Sequence, residues 1–182
     1  MTVTQGLAEQ CMNDSTTMES VRNFQRARRK ARFETLSAKI KLRRDKLLCL
    51  ADVRRLVKST GEHYGGIKSI PVDRIVGSES RSGDFTASFL PKSAELRHRW
   101  ERINTAIFEG VELPPISVIE IGGVYFVRDG NHRVSVARSQ KTSSCLDAEI
   151  THIQSDIFLE PGMSAGEIGE LMNPRPNEYR LG

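Results

Sequence analysis

No run of about 18 apolar residues occurs anywhere in the chain, which excludes a transmembrane helix of ordinary length. The first residues also lack the basic-then-apolar order of a secretory signal, so the expectation is a cytoplasmic protein with no membrane partner. Cysteine is scarce: Cys11, Cys49 and Cys145 lie far apart, without the paired spacing of a disulfide framework or a zinc site. His63, His98, His132 and His152 show no ligand spacing either, so no structural metal is expected. Aromatic residues make up only 6% of the chain, which leaves core packing mainly to aliphatic side chains.

What is present fits one domain with appendages, since 182 residues fall within the usual span of about 100–200 for a single domain. Hydrophobic residues at 38% and charged residues at 27% suffice for one core under a well-solvated surface. The net charge of +4 conceals an asymmetry. Residues 21–58 hold 14 Lys and Arg against Glu34, Asp45 and Asp52, whereas residues 59–182 carry 13 cations and 17 carboxylates. Basicity therefore belongs to one segment, and that segment carries any nucleic-acid hypothesis.

Residues 18–46 contain no Pro or Gly and are rich in good helix formers, which predicts a helix. Phe33, Leu36 and Ile40 share one of its faces, and this stripe is expected to lean on the domain. A second helix is expected near Asp52, stopping at Thr60-Gly61. Glu62-His63-Tyr64-Gly65-Gly66 reads as a linker because paired glycines favour turns. From Ile67 to Val76 a loose alternation containing Pro71 suits an edge or short strand better than a central one, and the polar stretch 77–84 reads as a loop. Leu96, Trp100, Ile103 and Ile107 form a helical stripe ended by Gly110, with Trp100 in the core.

Ile116–Ile121, Gly122-Gly123 and the following Val124-Tyr125-Phe126-Val127 have the signature of a two-residue β-hairpin. A last strand is expected over Cys145–Ile153, and a short helix over Ala165–Met172. The organisation is therefore read as a disordered stretch at 1–17, a basic helical extension at 18–64, an α+β domain at 65–155 and a tail at 156–182.

Chemistry concentrates where the second hairpin strand runs into Asp129-Gly130-Asn131-His132-Arg133 and a helix follows. A helix start exposes backbone N–H groups without intrahelical partners, and their partial positive charge attracts anions. Gly130 permits close backbone approach, as a phosphate cradle requires. Arg133 is placed to offer phosphate a planar fork, His132 to donate a hydrogen bond or act as acid or base, and Asp129 to hold the turn or a divalent cation. The structural alternative is an ordinary Asp-Gly turn with Asn131 as helix cap and Arg133 paired to Asp129. In the preceding loop, Arg81 is a further candidate ligand contact, set against a plain solvated connection.

The region 70–153 resembles the ParB/sulfiredoxin-like superfamily. The resemblance rests on Asp129, Gly130, His132 and Arg133, on Ile70-Pro71-Val72-Asp73-Arg74-Ile75, on the amphipathic helix, on Leu113-Pro114-Pro115-Ile116 and on the hairpin. It is nearest to small bacterial proteins described as ParB-like nuclease-domain proteins. It implies a small mixed sheet with packed helices whose strand-end turn faces a nucleotide phosphate; a nucleotide with Mg2+ is the cofactor expectation. Sulfiredoxins carry their catalytic cysteine immediately before His-Arg. Asn131 stands there, so the resemblance does not extend to sulfinic-acid reduction. Partitioning ParB proteins continue into helix-turn-helix and dimerisation domains, for which the residues after Ile153 are too few. Free serine kinases of the superfamily add a carboxylate from an earlier segment, and Glu79 and Asp84 are the residues in that place; with His132 they form the catalytic set of an enzyme reading, as phosphotransferase or nuclease.

The basic segment supplies the second functional expectation. Arg22, Arg26, Arg28, Arg29, Lys30, Arg32, Lys39, Arg43 and Arg44 are candidate phosphate contacts for DNA or RNA, the alternative being a solvated helical face. The leading expectation is a nucleotide or other phosphate-bearing ligand at the 129–133 turn, with nucleic-acid association through this segment. An enzyme of the same superfamily and a protein-interaction adaptor are the other readings.

Overall fold

The computed structural model of the chain describes residues 3–40, 45–57, 61–155 and 157–172. The first helix, α1 (Val3–Ile40), covers the expected helix up to Ile40 and also takes in the polar segment before it, with side chains described from Ser15 onward. It turns inward a different face from the one its large apolar residues suggested. Phe24, Ala27, Ala31 and Ala38 are buried, whereas Phe33, Leu36 and Ile40 are 73%, 59% and 73% exposed. Phe24, Ala27, Ala31 and Ala38 recur at helical spacing on one face. Small side chains there admit a neighbouring helix, α3 (Arg97–Phe108), against which α1 packs. Polar groups fix the contact: Asn104 Nδ2 donates to Ser20 Oγ at 2.9 Å, and Ser20 Oγ lies 2.8 Å from Thr105 Oγ1.

Six strands form one mixed sheet: β1 (Leu48–Cys49), β2 (Glu62–Pro71), β3 (Ile75–Ser78), β4 (Ile116–Ile121), β5 (Val124–Asp129) and β6 (Cys145–Ile153), in the order β1-β3-β5-β4-β6-β2. The β4–β5 hairpin turns at Gly122-Gly123 as its sequence predicts, and β6 has the expected bounds. Central β4 is apolar on both faces: Ile116 and Val118 join one hydrophobic cluster, Ile119 and Ile121 the other. Helices cover both sides. With α1 and α3, α4 (Asn131–Gln140) packs over the first cluster through Val134 and Val136; α2 (Leu50–Leu56) and α5 (Ala165–Met172) cover the second through Val53 and Ile168. Phe24 and Leu47 lie in the same cluster as Ile116 and Ile150, so the basic helix and the sheet share a core. Trp100 is fully buried, as its place in the stripe predicts, and donates through Nε1 to Ser135 Oγ at 3.0 Å.

The expected linker at 62–66 is instead the first half of β2, paired antiparallel with β6. The two glycines serve the strand: the register shifts between Tyr64 and Gly66, and a Cβ at Gly65 would stand 2.3 Å from the His152 ring. Gly65 is thus needed for close approach of a side chain rather than for a turn. The strand lies at the sheet edge, but the expected span Ile67 to Val76 is broken: β2 ends at Pro71, Val72–Arg74 form a 3-10 turn, and Ile75 and Val76 open β3 inside the sheet. Gly77 and Ser78, expected in a loop, belong to β3 because parallel partners flank them in β1 and β5. Among the described residues no helix is long and apolar enough to cross a membrane.

Candidate functional site

Strand β5, inside the sheet, ends at Asp129, and Gly130 turns the chain into α4 with φ +104°. That left-handed conformation disfavours other residues, and a Cβ at this position would lie 2.5 Å from Ile116 Cγ2. The helix therefore starts abruptly. Gly130, not Asn131, occupies the cap position, and no side chain caps the helix. The first intrahelical bond is Val134 N to Gly130 O at 3.1 Å, which leaves the amides of Asn131, His132 and Arg133 ahead of the repeating pattern.

Asn131 and His132 are both only 5% exposed. The His132 ring stands edge-on to Phe85 with centroids 5.6 Å apart, and its Nε2 lies 3.5 Å from Arg81 Nη1. Arginine can only donate, so Nε2 accepts and the ring proton sits on Nδ1. Neither His132 Nδ1 nor Asn131 Oδ1 has a hydrogen-bond partner among the described residues. Burial lowers the His132 pKa to about 4, aided by the positive charges of Arg99 and Arg81 and opposed by Asp84 and Asp129. His132 is neutral at pH 7, in a site where positive charge outweighs negative.

The loop reaches the same turn. Its Glu79 amide donates to Val127 O at 2.9 Å, and Arg81 N donates to Ser78 Oγ at 3.1 Å. Arg81 approaches Asp84 to 3.5 Å, whereas Glu79 is held 3.3 Å from Arg128. The sequence candidates Arg81, Asp84, Asp129 and His132 are therefore gathered at one place. Glu79 stands beside them with its carboxylate turned to Arg128.

Arg133 takes the pairing that the turn itself offers. Its Nη2 donates to Asp129 Oδ2 at 2.8 Å, and its Nη1 donates to Pro115 O at 2.9 Å and also to Pro114 O. The guanidinium thereby ties the Pro114-Pro115 segment to the turn, and its side chain is 13% exposed. In this arrangement the fork faces protein acceptors.

Arg99 and Arg102 carry no motif in the sequence, yet they complete the cation set. Both project from the exposed side of α3, and with His98, Leu113, Pro114, Asp129 and Arg133 they line a cleft of about 640 Å3. Among the described residues no carboxylate pairs with Arg99 or Arg102. The helical period gives only part of this signal: Arg102 lies off the Leu96-Trp100-Ile103 stripe, whereas Arg99, three residues after Leu96 and four before Ile103, flanks it.

On α1, Arg22, Arg26, Arg29, Lys30, Arg32 and Lys39 are exposed and Arg28 is half-buried. Arg43 and Arg44 lie outside the described residues. Cys49 and Cys145 are free thiols, and no group of three or more His, Cys, Asp or Glu among the described residues is arranged to hold a metal ion. No protein-family model, no curated protein and no solved structure matches the chain.

Proposed function

We propose that the protein binds a small phosphate-bearing ligand, a nucleotide being the leading class, in the cleft between α3 and the start of α4. The observation that carries this reading is an uncapped helix start with Arg81 3.5 Å from the buried, neutral His132 and with Arg99 on the wall of the adjoining cleft. An anion there would meet backbone N–H groups, the positive end of the helix dipole and two guanidinium groups. Asn131 and His132 would give the buried side of the site its hydrogen-bonding groups. Arg133 positions the turn, and the resemblance to ParB/sulfiredoxin-like turns agrees with a nucleotide phosphate at this place.

Magnesium would arrive with the phosphates. The carboxylates nearest the turn, Asp84 and Asp129, already pair with Arg81 and Arg133, which suits an ion held mainly by ligand oxygens and water. Under the enzyme reading, Asp84 is the stronger general-base candidate, because it faces the His132 surroundings while Glu79 faces Arg128. His132, with its lowered pKa, is a weak base at neutral pH and suits accepting a hydrogen bond better than removing a proton.

A thermal-shift panel of pyrophosphate and nucleoside di- and triphosphates, with and without Mg2+, tests the reading. Ligand at about 100 times its dissociation constant adds about 2.7 kcal/mol of stability, so a specific ligand raises the melting temperature in a saturable manner. A flat response across the panel contradicts the proposal.

A second reading has its own observation. The cations of α1 lie on faces turned away from the core, where duplex or single-stranded phosphates can reach several of them at once. We propose nucleic-acid association through this helix, independent of the cleft.

A further inference from the structure

Away from the α4 turn, three polar side chains stand in one row across the sheet. His63 on β2 is the register partner of His152 on β6, and His152 is the register partner of Glu120 on β4. Directly opposed residues on neighbouring strands place their side chains on the same face, about 4.5–5.5 Å apart at Cβ. The two imidazole rings stack with centroids 5.1 Å apart and planes 24° from parallel.

Glu120 sets the state of the inner ring. Its Oε2 lies 2.8 Å from His152 Nδ1, while its Oε1 accepts from Gly123 N at 2.6 Å. A carboxylate fixed at both oxygens accepts the Nδ1 proton and leaves the Nε2 lone pair unprotonated. This is the arrangement by which a carboxylate orients a metal-binding histidine. Beside that nitrogen the chain has Gly65, where a Cβ would come within 2.4 Å of Nε2. His63 is exposed on the edge strand, so its ring can turn toward the same point.

We propose that His63 and His152 form a two-imidazole clip for a divalent transition-metal ion of the zinc, copper or nickel class, with Glu120 as the orienting partner of His152. Imidazole favours these ions over magnesium or calcium, which require oxygen ligands. Water completes the coordination, because the carboxylate stands behind one ring rather than beside both. The site is accordingly exchangeable, and its occupation ties the edge strand β2 to β6.

The deciding experiment titrates Zn2+ into untagged, metal-stripped full-length protein by calorimetry, with histidine ring signals followed by NMR. One Zn2+ per chain is expected, with the ring signals of His63 and His152 shifting together and no such shift with Mg2+. His63→Ala, on an exposed position that leaves the core untouched, weakens Zn2+ binding by more than about tenfold. Glu120→Gln weakens it by about 10- to 100-fold, the scale on which loss of an outer partner acts. Wild-type affinity in His63→Ala, or no saturable Zn2+ binding by the unaltered protein, overturns the proposal.

Discussion

Arg133 reaches back one helical turn to Asp129, its Nη2 2.8 Å from the carboxylate, while the same guanidinium holds the Pro114-Pro115 carbonyls. The pair fastens the turn to the segment before β4. Asp129 is 66% exposed, so the ion pair itself contributes little, and the carbonyl contacts of the half-buried guanidinium matter more. Arg133→Ala is expected to destabilise the fold by about 1–2 kcal/mol, a fall of about 2–8 °C in melting temperature. Asp129→Ala should cost less. An unchanged melt for Arg133→Ala would show that the fastening is idle.

His132 makes stability depend on pH in a defined window. Its pKa falls from 6.5 in the unfolded chain to about 4 in the fold, so between these values the unfolded state binds more protons. Its contribution is fully present above about pH 6.5 and is lost as the pH falls toward 4. The loss between pH 7 and pH 5 is about 2 kcal/mol. Chemical denaturation of the wild type and of His132→Asn at both pH values isolates this contribution. The variant should lose less stability on acidification, whereas equal losses would place the imidazole in an ordinary aqueous setting.

Helix α1 combines a core face and a basic face, and the two separate by mutation. Phe24 is buried 5.6 Å from the Trp100 ring, and Phe24→Ala should cost about 3–5 kcal/mol. Phe33→Ser, on the opposite face, should stay within about 0.5 kcal/mol. Equal effects in unfolding titrations would refute the observed orientation of the helix.

The same helix predicts how salt acts on nucleic-acid binding. If Arg22, Arg26 and Arg29 each neutralise one duplex phosphate, replacing all three by Gln lowers the slope of log affinity against log salt by about 2–3, since each contact contributes about 0.9. These side chains are exposed, so the protein stays folded. A slope unaltered by the triple replacement places the contacts elsewhere.

Much of this architecture is legible in the chain because its signals are local. The Gly122-Gly123 hairpin, the helix after Gly130, strand β6 and helix α5 each follow from turn chemistry and periodicity within a few residues. What escaped depends on partners distant in sequence. Gly65 and Gly66 look like a turn until His152 is placed over the first of them. Helix α1 presents Ala27, Ala31 and Ala38 to the core, and small residues give a weaker periodic signal than Phe33, Leu36 and Ile40 on the outside. The 129–133 turn is visible as a motif, but its electrostatics are not: Arg99 acts on His132 from another helix.

A phosphate site at the start of α4 rests on Arg81 and Arg99. Each charge-assisted hydrogen bond to a phosphate contributes about 1.5–3 kcal/mol, so loss of either cation weakens binding roughly ten- to hundredfold. Neither guanidinium holds the core, and the variants should melt close to the wild type. The direct measurement is calorimetric titration of the phosphate ligand with the largest thermal shift into wild type, Arg81→Ala and Arg99→Ala, with melting curves on the same samples. A tenfold or greater loss of affinity is expected in both variants at unchanged stability. Wild-type affinity in both, with intact folds, would contradict a phosphate site at the start of α4.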